Sequence, residues 1–272
     1  MPRLPRVSGR DAAPPRSSAV RAHPARVYDW WLGGRDNYLI DEETARAIAE
    51  ADPSVVEGAR ANRRFMHRAT RALALDGIRQ FLDIGTGIPT EPNLHEVAQS
   101  VAPDARVVYV DNDPVVLRHA EARLASGAAG STAFVQADVR DPERLLAEAA
   151  RSLDLTRPVA LSVVAVMHYI TDEQDAYDLL HRYLDALAPG SHLVLSHVTA
   201  DMDPEAMQRA TEVFHSHGMP FHPRTRDQVA RFFTGLDLLD PGLVPVLEWR
   251  PCTEDGETDG AVPVYVGVGR KG

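Results

Sequence analysis

The chain has 272 residues, 44% of them hydrophobic and 25% charged, a composition that builds a globular core and a length that one enlarged α/β domain accommodates. A formal net charge of −10 lacks the basic footprint that a general nucleic-acid binder needs. The single cysteine, Cys252, excludes an intrachain disulfide and fits a reducing cytoplasm, and no apolar run approaches the ~20 residues of a membrane helix.

Residues 1–25 carry five prolines, five arginines and almost nothing to bury. Such a segment cannot offset its ordering entropy and is expected to be a disordered tail, without the apolar stretch of a secretion signal. A single folded domain is expected over 26–272. It begins with Tyr28-Asp29-Trp30-Trp31-Leu32-Gly33-Gly34-Arg35-Asp36-Asn37-Tyr38. Adjacent tryptophans cannot share one helix face, so one packs and the other is free to cover a ligand. Gly33-Gly34 permits a sharp turn that would deliver Arg35, Asp36 and Asn37 to a pocket. This predicts a lid, with a packed N-terminal brace as the alternative. Helical spacing at 41–51 and 54–75, broken at Asp52-Pro53, completes an N-terminal helical cap over 26–76.

From residue 77 the pattern alternates between strand and helix. Strands are predicted at 79–84, 106–110, 132–136, 158–166 and 191–197. Helices are predicted at 91–101, from Pro114 with Asp113 as N-cap, and from Asp172. The fourth strand is a near-continuous apolar run, as a central parallel strand covered on both faces requires. Helices at 204–216 and 225–234 make a helical insertion over 198–235, and strands near 243–249 and 262–268 follow. The predicted fold is α/β: a mostly parallel seven-stranded sheet with helices on both faces and an N-terminal helical extension.

The most informative stretch is Phe81-Leu82-Asp83-Ile84-Gly85-Thr86-Gly87, a buried strand running into a glycine turn, with a second strand ending at Asp111-Asn112. Two glycines let the backbone approach a ligand that no side chain would clear, and the following helix presents its N-terminal amides there. A carboxylate 24 residues after the second glycine can grip a ribose diol. A dinucleotide fingerprint needs a third glycine where Thr90 stands, and a Walker loop needs a lysine, but the only lysine is Lys271. Asp83 is poorly placed for a pyrophosphate and suits a ligand carrying positive charge, such as an amino group or a sulfonium.

This acidic residue followed by Gly-x-Gly resembles the first motif of class I S-adenosylmethionine (SAM)-dependent methyltransferases. Segments 26–38, 62–65 (Asn-Arg-Arg-Phe), 77–90, 107–117, 137–142, 189–197, 232–251 and 268–271 together resemble one bacterial SAM-methyltransferase family, formerly catalogued as a domain of unknown function. The resemblance covers residues 20–271 and implies a Rossmann-like fold, SAM as cofactor and S-adenosylhomocysteine as its product. It implies that Asp111 holds the ribose hydroxyls, Asn112 lies against the adenine, Asp138 accepts from the adenine amino group and Val139 offers its amide. Gly85, Thr86, Gly87, Ala165 and Tyr28 complete the expected cofactor set, and Arg63 or Arg35 would pair with the methionine carboxylate. Pro89 stands where many relatives carry a third glycine, so the helix entry is shaped differently here.

Methyl transfer from a sulfonium is an in-line displacement, in which holding acceptor and methyl together supplies much of the acceleration. A base is needed only if the acceptor must lose a proton. His168, just past the fourth strand, is the candidate base, with Tyr169 shaping or hydrogen-bonding the acceptor. The alternative for His168 is a packed histidine forming the cofactor floor. Trp30, Trp31, Arg35, Asp36, Asn37, Tyr38 and His197 are the candidates for the lid and substrate side. Val166-Met167-His168-Tyr169 is not the [DNS]-P-P-[YF] of nucleobase amino-methyltransferases, and Cys252 lies too far downstream for a cytosine-attacking thiolate. His215 and His217 point in different directions on a helix, and with His222, Asp201 and Asp203 they make no expected metal site. The expected function is methylation of a small molecule at oxygen or nitrogen, in specialised metabolism, with no nucleic-acid or membrane partner. The alternatives are a SAM-binding protein of the same fold that cyclises, decarboxylates or senses, and a nicotinamide-dependent oxidoreductase.

Overall fold

The computed structural model describes residues 21–123, 130–252 and 261–272; of the tail expected over 1–25, residues 1–20 lie outside the described residues. Residues 21–25, expected to belong to that tail, instead enter the fold. Helix α1 (Pro24–Trp31) starts at Pro24 because the first helical position needs no N–H, and His23 Nδ1 caps it by accepting the Ala25 amide at 3.3 Å. Helices α2 (Leu39–Ala51) and α3 (Ser54–Leu75) follow the spacing read from the sequence.

Five parallel strands form most of the sheet: β1 (Gln80–Ile84), β2 (Arg106–Asp111), β3 (Ser131–Gln136), β4 (Ala160–Val164) and β5 (His192–Val198). Their spatial order is β3-β2-β1-β4-β5, continued by β8 (Val264–Lys271), antiparallel to β5, and β6 (Leu236–Leu238) at the far edge. A two-residue strand, β7 (Val244–Pro245), also pairs with β8, so among the described residues the sheet has eight strands where seven were expected. The strand expected over 243–249 shrinks to β7 because the chain then turns to bury Trp249 edge-on against Phe65, 5.3 Å between ring centroids. The three-residue β6 is too short for alternation to be read.

The intervening helices are α4 (Leu94–Val101), α5 (Pro114–Arg123), α6 (Pro142–Ala149) and α7 (Ala176–Asp185), followed by α8 (Pro204–Ser216) and α9 (Arg226–Ala230). Every residue of β1 is buried because helices cover both faces. Leu82 and Ile84 pack with Leu145 of α6 and Leu179 of α7, and Phe81 packs with Phe65 of α3 and Leu94 of α4. Asp83 shares the Phe81 face by strand alternation, which places it beneath α3. The register sets it between Tyr109 of β2 and Ser162 of β4. A third cluster joins Val27, Trp31 and Ile48 to Met207, Phe214, Met219 and Phe221, so the N-terminal helices and the segment around α8 form one layer. Among the described residues, no helix is long and apolar enough to cross a membrane.

Candidate active site

At the carboxyl end of β1 the chain turns through Gly85 (φ +72°) and Gly87 (φ +68°), left-handed conformations that glycine adopts without a side-chain clash. Their surroundings differ. A Cβ on Gly85 would lie 2.3 Å from Val166 Cγ2, whereas one on Gly87 would meet nothing within 4 Å. The turn is therefore packed on one side and open on the other. It is tied to β2 at three points. The Gly87 amide donates to Asp111 Oδ2 at 2.9 Å, Gly85 N donates to Val110 O at 2.8 Å, and Val110 N donates to Thr86 Oγ1 at 3.2 Å.

This open side faces a cavity of about 390 Å³. Every residue of the expected cofactor set lines it: Tyr28 and Arg63, the Asp83–Gly87 turn, Asp111 and Asn112, Asp138 and Val139, and Ala165. Burial pushes the Asp83 carboxyl up to about 6, against the pull of the Ser162 hydroxyl, which donates to it at 2.7 Å, and of the Arg63 charge. Burial also raises Asp111, whose Oδ1 accepts the Asp113 amide at 2.9 Å. Asp138 differs. Hydrogen bonding by Arg140 holds its carboxyl down at about 2, and Asn112 Nδ2 approaches it at 3.4 Å. Arg63, whose own pKa is lowered by burial, donates to the carbonyls of Thr90 and Pro92 and leaves its buried Nε without a partner. Ala165 sits at φ +59°, a conformation that costs a non-glycine residue ~1–3 kcal/mol, and is held there by the Ser196 hydroxyl, 2.9 Å from its amide.

The structure moves the expected catalytic and lid residues elsewhere. Tyr169 is on the cavity wall; His168 is not. His168 is 3% exposed, packs its ring among Tyr169, His197 and Phe221, and leaves Nδ1 without a partner. Burial holds its pKa well below the usual histidine range, so its position and basicity both fit a packed floor and not a base. His197 is buried too, and both ring nitrogens are used: Nδ1 faces Val198 O at 2.8 Å and Nε2 faces Arg224 Nη1 at 2.8 Å. It therefore has no nitrogen for a substrate.

The aromatic block is a brace in its second half. Trp31 is core, donating to Ala45 O at 3.1 Å, and Trp30 lies under Arg46. The Gly33–Asn37 turn wraps Asp29, whose Oδ2 accepts the Asp36 amide at 3.0 Å and Asn37 Nδ2 at 2.8 Å; Arg35 is exposed. Tyr38 stacks beneath Arg26. None of Trp30, Trp31, Arg35, Asp36, Asn37 or Tyr38 reaches the cavity. That role falls to Ala22, His23, Pro24, Ala25 and Tyr28, mostly the stretch read as tail.

Sequence reasoning also missed Asn62 and Met66, which share one face of α3 at i, i+4 spacing, and Gly218-Met219-Pro220, the loop after α8. Arg224 fixes that loop to the turn after β4: its guanidinium donates to Met167 O (3.0 Å), Ile170 O (2.9 Å) and Asp172 Oδ1 (2.6 Å) with the side chain fully buried. Arg224→Met strands the Met167 and Ile170 carbonyls and should therefore cost about 2–5 kcal/mol of stability, read as a shifted denaturant midpoint at unchanged slope. A loss below ~1 kcal/mol would show that the staple is dispensable.

The sheet order, the open glycine turn and the carboxylates at successive strand ends define a Rossmann-like enzyme of the class I SAM-dependent methyltransferase type. The chain belongs to the S-adenosyl methyltransferase family, whose profile matches residues 10–272. It is similar to a DUF574 family protein from Streptomyces avermitilis, with 46% identity, 94% of this chain and 100% of that one covered, and a TM-score of 0.91. It is also similar to a candidate methyltransferase from Thermobifida fusca, with 39% identity, 95% and 98% covered, and a TM-score of 0.84. Human N-acetylserotonin methyltransferase in complex with SAM shares the fold alone, at 15% identity, 94% and 65% covered, and a TM-score of 0.50. No curated protein matches the chain. The protein is a SAM-dependent methyltransferase, and SAM is its cofactor.

Proposed function

We propose that the cavity at the glycine turn is the SAM site and that the enzyme methylates an oxygen or nitrogen of a small molecule in the cytoplasm, within specialised metabolism. The observation that carries the site is the set of carboxylates Asp83, Asp111 and Asp138, from three strand ends on one wall. SAM supplies an electrophilic methyl group on a positively charged sulfur, and the donor set fits it. Buried Asp83 faces the ligand's positive charge, Asp111 takes the ribose hydroxyls, and Asp138 with Asn112 and the Val139 amide holds the adenine. Arg63 takes the carboxylate with the edge that the 90–92 loop leaves. The open edge of Gly87 leaves space where a side chain would intrude.

Calorimetry with SAM, S-adenosylhomocysteine and NADH tests this reading. The first two should bind in the low-micromolar class, about −8 kcal/mol, and NADH should not. Asp111→Ala should weaken SAM binding by about 1.5–3 kcal/mol through lost charge-assisted hydrogen bonds. Unchanged affinity in that variant would remove the ribose assignment.

A further inference from the structure

We propose that the methyl acceptor is a neutral amine nitrogen on an apolar body, with its N–H held by Asn62 Oδ1. This rests on the SAM site assigned above and concerns the part of the wall that the cofactor leaves over: Asn62, Met66, Tyr169, Ile170, Met219 and Pro220. Four of these six are apolar, and they offer little to a charged or heavily hydroxylated acceptor.

Asn62 carries the inference. It is 3% exposed, lines the cavity, and its Oδ1 has no partner. The amide orientation follows from its neighbours. Tyr28 Oη donates its proton to Ala59 O at 2.8 Å, so toward the neighbouring Asn62 it presents only an acceptor, which turns Nδ2 to that side and leaves Oδ1 as the end without a partner. A buried acceptor without a donor costs roughly as much as a lost hydrogen bond, so an N–H or O–H from the ligand is favoured at this atom.

The surroundings choose between those two. A hydroxyl acceptor must lose its proton to a base as it attacks, whereas a neutral amine attacks with its lone pair. Among the described residues, no base faces this part of the wall. His168 and His197 lie behind it, and the Tyr28 and Tyr169 hydroxyls are driven above their ordinary range by burial. His23, Asp111 and Asp138 belong to the nucleoside end, Arg63 carries a cation, and Asp83 faces the cofactor's charge. In the transfer the amine lone pair forms the new C–N bond while the C–S bond breaks, with its electron pair passing to sulfur. The positive charge moves from sulfur to nitrogen, where Asn62 Oδ1 and the Tyr169 hydroxyl oxygen stabilise it, and the N–H proton then leaves to water.

The test uses two matched pairs, aniline with phenol and 1-naphthylamine with 1-naphthol. Each is titrated calorimetrically into the enzyme saturated with S-adenosylhomocysteine and assayed with SAM for the methylated product by mass. Both amines should bind about tenfold tighter than their hydroxyl partners, and only they should be methylated. Asn62→Leu should erase the binding preference while leaving the SAM dissociation constant within about twofold. Hydroxyl partners that bind or react as well as the amines, no amine bound or methylated at millimolar concentration, or a SAM affinity that falls with Asn62→Leu would each overturn the proposal. If wild-type enzyme fails to bind SAM at all, the SAM-site reading falls first; SAM bound with amines refused sinks only the acceptor class.

Discussion

Asp83→Asn should weaken SAM binding roughly 100-fold at neutral pH and at the same time make the ligand-free protein more stable. Both effects come from a carboxyl group that is costly to ionise where it sits. Its folded pKa of about 6 lies above the ordinary 3.8 because burial outweighs the Ser162 hydrogen bond and the Arg63 charge. The folded state therefore binds the proton more tightly than the unfolded state. The resulting stabilisation is complete below pH ~4 and is lost as pH rises through ~6, a swing of about 3 kcal/mol. Asparagine keeps an acceptor for Ser162 and ionises at no pH, so the variant should gain up to that amount at pH 8 and nothing at pH 4. Ligand affinity runs the other way. A cationic ligand needs the carboxylate, so wild-type SAM affinity should climb between pH 5 and 7, and the climb should flatten in Asp83→Asn, which should bind SAM roughly 100-fold more weakly. Asp111 and His23 line the same cavity, and the flattened variant separates their part from that of Asp83. Wild-type affinity that is level across this range, or a variant no more stable at pH 8, would show that Asp83 serves the turn and not the ligand.

The same residue marks how far the sequence could be read. Asp83, Gly85, Gly87, Asp111 and Asp138 were legible because their chemistry and spacing are local to strand ends, and strand ends in a parallel sheet converge on one crevice. His168 was not, although it also follows a strand. β4 stops at Val164, Ala165 turns left-handed, and the 3-10 turn Met167–Tyr169 rotates His168 inward and Tyr169 onto the wall. Periodicity gives no direction to side chains in such a turn. The lid was misplaced for a related reason. Aromatic and glycine content in 30–38 reads equally as cover or as brace, and the buried Asp29 that organises the turn becomes visible only when its partners are brought around it. The prolines before residue 25 suggested disorder, yet Pro24 begins a helix. Asn62 and Met219 reach the wall from α3 and the loop after α8, segments whose approach depends on layer packing that no local pattern encodes.

Arg26→Met should cost about 3–5 kcal/mol of stability and loosen the cover over the proposed cofactor cavity. Arg26 is 2% exposed and joins two carboxylates that are equally buried, Asp41 at 2.8 Å and Asp113 at 2.5 Å. Removing the guanidinium leaves two charges in the interior without a counterion, which is the costly way to break a buried ion pair. Asp113 follows Asp111 by two residues, and its amide holds Asp111 Oδ1, so the pair fastens α1 directly over the proposed ribose position. Two consequences separate a fastening from general packing. Adding Asp41→Asn and Asp113→Asn to Arg26→Met should recover most of the lost stability, since the stranded charges disappear. It should not recover SAM affinity, which needs residues 22–28 seated on the wall and should stay about tenfold weak. Hydrogen exchange locates the motion: S-adenosylhomocysteine should protect amides in 25–28 strongly and leave 33–37, wrapped around Asp29, nearly unchanged. Equal protection of both stretches would make the whole block a lid. Protection of neither would make α1 a fixed wall, with the cavity opening between the α8 loop and the glycine turn instead.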